Sequence, residues 1–248
     1  MKSNYFYKNS LANIYKKPSK VSEVISQILY GEKFKILSRN KNWIKIKVLF
    51  DNYIGYIENK NYTNHYKPTH KVFILKASIF NKPRDKTKHF LPFASRISII
   101  QENKGFIEFE KNKWLKKIDI KKINHIEKNY LKIFKLFLRT KYSWGGKTYK
   151  GIDCSAILQL FYYYNNKFYP RDTKDQIKYS KKNSKVMIFK KGDIIFWKGH
   201  VAICINSRKL IHAYGPKKKV LIMNVTETIS RIERTAELII KKVSSIKY

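Results

Sequence analysis

The chain is short of several things. Only two of its 248 residues are cysteine, Cys154 and Cys204, so no disulfide framework holds it together. In a reducing compartment each thiol needs an explanation of its own. Nine glycines and six prolines leave no low-complexity linker. No stretch approaches the ~20 apolar residues of a membrane-spanning helix. Residues 1–17 carry charges and tyrosines where a secretory leader needs an apolar run. A cytoplasmic protein is therefore expected, with export by an unseen route as the alternative.

Acidic residues are scarce as well: 17 Asp and Glu stand against 54 Lys and Arg, a net charge of +37. Such a charge fits a polyanionic partner, whether nucleic acid, an anionic membrane or an anionic polymer. The lysines are nevertheless scattered along the whole chain, which is also rich in Ile, Asn, Tyr and Phe. An AT-rich coding sequence produces that combination, whereas a nucleic-acid binder gathers its charge on one face. Nucleic acid is therefore not the expected partner.

What the chain has is apolar and aromatic material for packed cores, 43% and 15% of its residues. Residues 11–62 read as short strands: Ala12–Tyr15, Phe34–Leu37, Trp43–Val48 and Tyr53–Ile57. Trp43–Val48 alternates apolar and polar, the pattern of a half-buried strand, and close spacing without a helical period points to a small barrel. Residues 71–120 repeat the theme with Lys71–Leu75, Ser95–Ile100, Phe106–Phe109 and Trp114–Leu115. From Asn124 to Arg139 the residues Ile126, Tyr130, Ile133, Phe134, Phe137 and Leu138 fall on one helical face. A second helix is expected from Asp153, burying Ala156, Ile157, Leu160, Phe161 and Tyr164. After a polar segment come four strands, Asp193–Trp197, His200–Ile205, Leu210–Tyr214 and Val220–Val225. Helices followed by consecutive strands imply an α+β domain with an antiparallel sheet.

Cys154 falls in the first turn of the expected second helix. The partial positive charge and free N–H groups of a helix start favour a thiolate, the reactive form, and can help bind an oxyanion. By position alone, an inert buried cysteine is the commoner outcome. His200 opens an expected strand, which holds an imidazole rigidly, and the small Ala202 on the same face leaves room beside it. His212 lies on the next strand. If the two strands form a hairpin, His212 accepts the ring proton of His200 and fixes its tautomer. One cysteine and two histidines can also ligate zinc, but no CxxC or HxxxH pair supports a metal. No cofactor is expected. Cys204 is expected to pack in the sheet core, and nothing supports a site at His65, His70, His89 or His125.

Six short motifs occur in one order: Tyr142–Gly146 (YSWGG), Gly151–Ser155 (GIDCS), Tyr169–Thr173 (YPRDT), Lys191–Phe196 (KGDIIF), Gly199–Ile203 (GHVAI) and Ile211–Ala213 (IHA). Over residues 124 to about 235 they resemble the NlpC-type cell-wall cysteine peptidases. The resemblance implies an α+β chain, a permuted papain-like catalytic domain preceded by two small β-barrels. The expected domains are two bacterial Src-homology-3-like barrels, 1–64 and 65–121, and a peptidase domain, 122–248. It also implies a triad of Cys154 as nucleophile, His200 as base and His212 as orienting residue, with Tyr142 assisting the oxyanion. Ala156 departs from the glycine usual after the Asp-Cys-Ser run, a change that favours the helix.

Two barrels before the peptidase domain resemble the γ-D-glutamyl-L-diamino-acid peptidases, which act on peptidoglycan stem peptides with a free N-terminal L-alanine. That resemblance assigns Asp153 and Ser155 to the substrate amine, in keeping with the carboxylate and acceptor oxygens an ammonium needs. It also brings Glu32 of the first barrel to the same pocket. The expected partner is thus a peptidoglycan-derived peptide. The alternatives are a binding protein for wall polymer or another polyanion with a degenerate peptidase domain, or a different acyl transfer on the same fold.

Overall fold

The structure, a computed structural model, describes residues 4–181 and 188–247. They divide into two compact units, Met1–Ile126 with Tyr163–Lys167, and Glu127–Tyr162 with Phe168–Tyr248. The architecture is α+β: a β-rich N-terminal region, then a domain of few helices and an antiparallel sheet.

The first unit begins with β1 (Asn4–Tyr7), β2 (Leu11–Tyr15), β3 (Val24–Leu29), β4 (Lys33–Asn40), β5 (Trp43–Val48), β6 (Ile54–Glu58) and β7 (Tyr62–Thr63). They form one sheet in the order β3-β2-β6-β5-β4-β1-β7. Along β5 the buried residues are Ile44, Ile46 and Val48, and the partners between them are half exposed. The alternation thus places every second side chain in one apolar cluster with Tyr7, Ile14, Ile28, Phe34 and Ile57.

The same unit continues with β8 (His70–Val72), β9 (Lys76–Lys82), β10 (Asp85–Pro92), β11 (Arg96–Ile97), β12 (Gln101–Asn103), β13 (Phe106–Glu110), β14 (Lys113–Lys116) and β15 (Ile120–Lys122). A five-stranded sheet, β10-β9-β14-β13-β12, and a three-stranded one, β11-β8-β15, share a core around Val72, Leu91, Ile97, Ile107 and Leu115. At Gly31 a β-carbon would lie 1.9 Å from the Arg96 carbonyl oxygen, and φ is +72°. Only glycine lets the two backbones meet there, where the Arg96 N–H donates to the Tyr30 carbonyl at 2.9 Å.

The second unit holds α1 (Tyr130–Leu136), β16 (Lys147–Thr148), β17 (Gly151–Ile152), α2 (Cys154–Tyr164), α3 (Thr173–Tyr179), β18 (Asp193–Trp197), β19 (His200–Cys204), β20 (Lys209–Tyr214), β21 (Lys219–Asn224), α4 (Val225–Ala236) and β22 (Lys242–Ser245), save that the last two residues of α2 fall in the first unit. The sheet β21-β20-β19-β18-β22 is antiparallel throughout. α2 is buried along its whole length, polar Gln159 included, unlike an ordinary amphipathic surface helix. α4 lays Val225 and Ile232 on Trp197, Ala202, Cys204 and Leu210. Among the described residues no helix is long and apolar enough to cross a membrane.

The expected helix over 124–139 is cut to seven residues. It ends at Leu136 with Phe137 as its C-cap; beyond that, Arg139 adopts a left-handed φ of +67° through which no helix continues, and Ile126 is exposed. Only Arg96 and Ile97 of Ser95–Ile100 are strand, and only residues 70–72 of the stretch around Lys71–Leu75. The helices α3 and α4 and the strand β22 add to what the sequence patterns show.

Candidate functional site

Cys154 is the first residue of α2, and the preceding residue builds that helix start. Asp153 Oδ1 accepts the Ala156 N–H at 2.9 Å, the usual reach of an N-cap side chain to the third helical residue. Its other oxygen accepts the Gly145 N–H at 3.0 Å, from a turn that Gly145 enters with φ +71°. Arg171 then grips both oxygens, Nη1 to Oδ1 at 3.0 Å and Nη2 to Oδ2 at 2.6 Å, and Nη1 also reaches Ser155 Oγ at 2.9 Å. Ser155 Oγ donates to Asp153 Oδ1 at 3.1 Å. All three side chains are buried, so the fork-to-fork pair is well shielded from solvent.

Beyond the helix start, Gln176 of α3 ties the segment down by donating to the carbonyls of Ser155 and Pro170.

The thiol of Cys154 is almost wholly buried. Its Sγ lies 3.9 Å from the carbonyl oxygen of Gly199 in the β18–β19 turn. Burial, and next the Asp153 charge, push its pKa up to about 11; the Val201 N–H, the Thr173 hydroxyl and Arg171 pull the other way. Gly199 precedes His200, so the turn between β18 and β19 brings imidazole and thiol into one neighbourhood.

His200 and His212 are joined directly. His200 Nε2 and His212 Nδ1 are 3.0 Å apart. Ile203 faces Ile211 across the two strands; carried on, that register sets Ala202 opposite His212 and leaves the histidines diagonal neighbours on one face. His212 Nε2 in turn lies 3.3 Å from the thioether sulfur of Met223, which stands on β21 two residues beyond the Leu221 that faces His212 and so is its diagonal neighbour. A thioether only accepts. His212 Nε2 therefore carries the proton, its Nδ1 is bare, and His200 Nε2 must be the donor to it. That leaves His200 Nδ1 with a free lone pair, the requirement for a general base.

Burial holds both imidazoles neutral. It lowers His200 to about 4, and it holds His212 well below the usual imidazole range, where the neighbouring His200 adds to the effect. Tyr214 stacks on His212 with centroids 4.7 Å apart, and Trp197 lies 5.6 Å from His200, so both rings are held by aromatic neighbours.

Tyr142 is half-buried. Burial, then the nearby Cys154 and Asp153, raise its pKa, so its hydroxyl keeps its proton and remains a donor. Its backbone is fixed by the Tyr142 N–H donating to Lys218 at 2.9 Å. A cavity of about 470 Å³ opens beside Tyr142 and His200.

Of the residues expected to act together, Cys154, His200, His212, Tyr142, Asp153 and Ser155 all lie in the second unit. Asp153 has a fuller set of partners than an open amine site presents. A carboxylate offers about four lone-pair sites, and the Gly145, Ala156, Ser155 and doubly bonded Arg171 donors already occupy them. Glu32 belongs to the first unit, where it is buried and its Oε2 accepts the Leu29 N–H at 2.9 Å. Cys204 is fully buried in the core under the sheet. Among the described residues no group of three or more His, Cys, Asp or Glu is placed to hold a metal ion. Arg171, Thr173, Gln176 and Met223 escape the sequence reasoning as site residues. Arg171 and Thr173 had a signal, since both lie in Tyr169–Thr173, one of the six ordered motifs.

Comparison with known proteins follows the same division. Residues 139–236 match the NlpC/P60 family and residues 14–61 the bacterial dipeptidyl-peptidase SH3 domain. Over 230 residues the chain is 24% identical to dipeptidyl-peptidase 6 of Lysinibacillus sphaericus, covering 82% of this chain and 84% of that protein. It is 25% identical over 236 residues to the γ-D-glutamyl-L-lysine dipeptidyl-peptidase of Bacillus subtilis strain 168, covering 85% and 79%. The fold matches the crystal structure of an NlpC/P60 family protein from Bacillus cereus with a TM-score of 0.77 at 20% identity, over 90% of this chain and 94% of that one. The NlpC/P60 family is one of cysteine peptidases. The chain thus carries an NlpC/P60 domain behind a bacterial SH3 domain of the dipeptidyl-peptidase type.

Proposed function

We propose that this protein is a cysteine peptidase that hydrolyses the bond between γ-D-glutamate and the diamino acid of peptidoglycan stem peptides carrying a free N-terminal L-alanine. The observation that carries this reading is the ordered chain of ring nitrogens from Met223 through His212 to His200, beside a cysteine at a helix start. Support for the substrate comes from relatives named as dipeptidyl-peptidases.

In this reading the thiol and imidazole are both neutral at rest. As Cys154 Sγ attacks the γ-carbonyl, its proton passes to His200 Nδ1, and the charge on the imidazole is steadied by His212. The oxyanion faces the Cys154 N–H at the start of α2 and the Tyr142 hydroxyl. His200 then gives its proton to the leaving amine. The resulting thioester is opened by water, activated by the same histidine, and L-Ala-γ-D-Glu departs. A free peptide released during wall turnover in the cytosol is the substrate form this reading favours.

The test is to incubate the protein with L-Ala-γ-D-Glu-diaminopimelate and follow release of the dipeptide by mass spectrometry, with Cys154→Ala alongside. Absence of Cys154-dependent cleavage of any wall peptide overturns the proposal. An N-acetylated peptide decides the amine's part. Equal cleavage removes Asp153 and Ser155 from substrate recognition and leaves them to the Arg171 network.

A further inference from the structure

The cavity beside His200 has a one-sided electrostatic lining. Its walls are Tyr214, Pro216, Ile232 and Leu238, and its only formally charged groups among the described residues are Lys217 and Arg231. Arg231 comes from α4, and its Nε is buried without a hydrogen-bond partner. A buried guanidinium N–H without an acceptor is costly, and a planar fork of donors matches a carboxylate. Lys217 lies exposed in the loop after β20, at the same opening.

The position of the cavity says which part of a peptide meets these cations. His200 must deliver a proton to the leaving nitrogen, so the leaving residue lies against His200, and His200 is part of the cavity wall. On the peptidase reading above, we propose that this cavity is the subsite for the leaving diamino acid. Lys217 and Arg231 there bind the additional side-chain carboxylate of diaminopimelate and disfavour lysine. A diaminopimelate side chain ends in both a carboxylate and an ammonium, and so gives the cations an anion to pair with. A lysine side chain brings only an ammonium to two like charges. The apolar walls take the methylene chain, which the two diamino acids share.

The experiment uses Cys154→Ala protein, which binds without turnover, and titrates it calorimetrically with L-Ala-γ-D-Glu-meso-diaminopimelate and L-Ala-γ-D-Glu-L-Lys. The expected result is tighter binding of the diaminopimelate peptide by on the order of tenfold, the worth of one charge-assisted hydrogen bond. The preference shrinks with added salt. Arg231→Gln in the same background brings the two affinities together, while Arg231→Lys retains part of the difference. Should Arg231→Gln fail to fold, Lys217→Gln reports instead by narrowing the gap. Equal affinities in the parent, or a gap unchanged in the Arg231→Gln/Lys217→Gln double variant, overturn the inference. The two proposals fail separately. Cysteine-dependent cleavage of both peptides at equal rates by the unaltered protein keeps the peptidase and sinks the subsite. Selective binding without any cleavage keeps the subsite and sinks the peptidase.

Discussion

Strand β5 and the hairpin β19–β20 are built of similar residues and do opposite things. In β5 every second side chain is buried and the intervening lysines face outward. From Val201 to Cys204 and from Leu210 to Tyr214 every residue is buried. The barrel strand has one dry face, so its polar residues have somewhere to go. The hairpin has two, so a polar residue on it must find a partner inside. His212 does so, with His200 on one side and Met223 on the other. A polar side chain is unremarkable in a half-exposed strand and informative in a fully covered one.

That contrast can be broken most severely at the nucleophile. Cys154→Ala should lower peptide cleavage by a factor on the order of a thousand or more, as loss of a triad member does, and leave the melting temperature nearly unchanged. Steady-state kinetics and calorimetry check both halves. Arg171→Ala should next cost about 3–5 kcal/mol, because it strands the buried Asp153 carboxylate; denaturant titration reads it. In the barrel, Ile46→Ala should cost about 2–5 kcal/mol through a cavity alone. Cleavage per folded molecule should hold, and a fall in kcat with intact folding would blur the division drawn here.

The pH response is a finer probe. His200 keeps its proton off down to about pH 4, so the acid limb of kcat/KM should fall near there and not near 6.5. For stability the sign follows from the same depression. Unfolded histidine takes a proton below about 6.5, while folded His200 and His212 do not. Stability from these rings is therefore full above that pH and declines as the pH drops toward about 4. His212→Gln should flatten this slope in pH-dependent unfolding. The smallest effect is expected at the exposed pair Lys16–Glu23, 3.2 Å apart; Lys16→Ala should change stability by less than about 1 kcal/mol.

The same contrast explains what could be read from the sequence. β5, β13 and the strands from Asp193 to Asn224 were legible because their apolar pattern is either alternating or continuous. The start of α2 was legible because apolar residues recur at helical spacing from Ala156 onward. α4 was hidden because the face it buries is Val225, Thr228 and Ile232 amid charged neighbours, and threonine does not read as core. α3 was hidden for the same reason, since the residues it buries are Thr173 and Gln176. The segment before α1 misled in the other direction, because helical spacing from Ile126 continues past the point where the backbone is helical. In the site, Cys154, His200 and His212 stood out as polar or reactive types in apolar settings. Arg171 and Met223 did not, since their roles depend on partners distant in the chain.

The carboxylate of Asp153 also sets a bargain between architecture and reactivity. It anchors the first turn of α2 and the Arg171 clamp, and its negative charge is, after burial, the strongest influence holding the Cys154 proton in place. The group that fixes where the sulfur stands is thus one that keeps it quiet. A sulfur so restrained is spared indiscriminate alkylation and oxidation, and spends its reactivity when a substrate has displaced water and engaged His200.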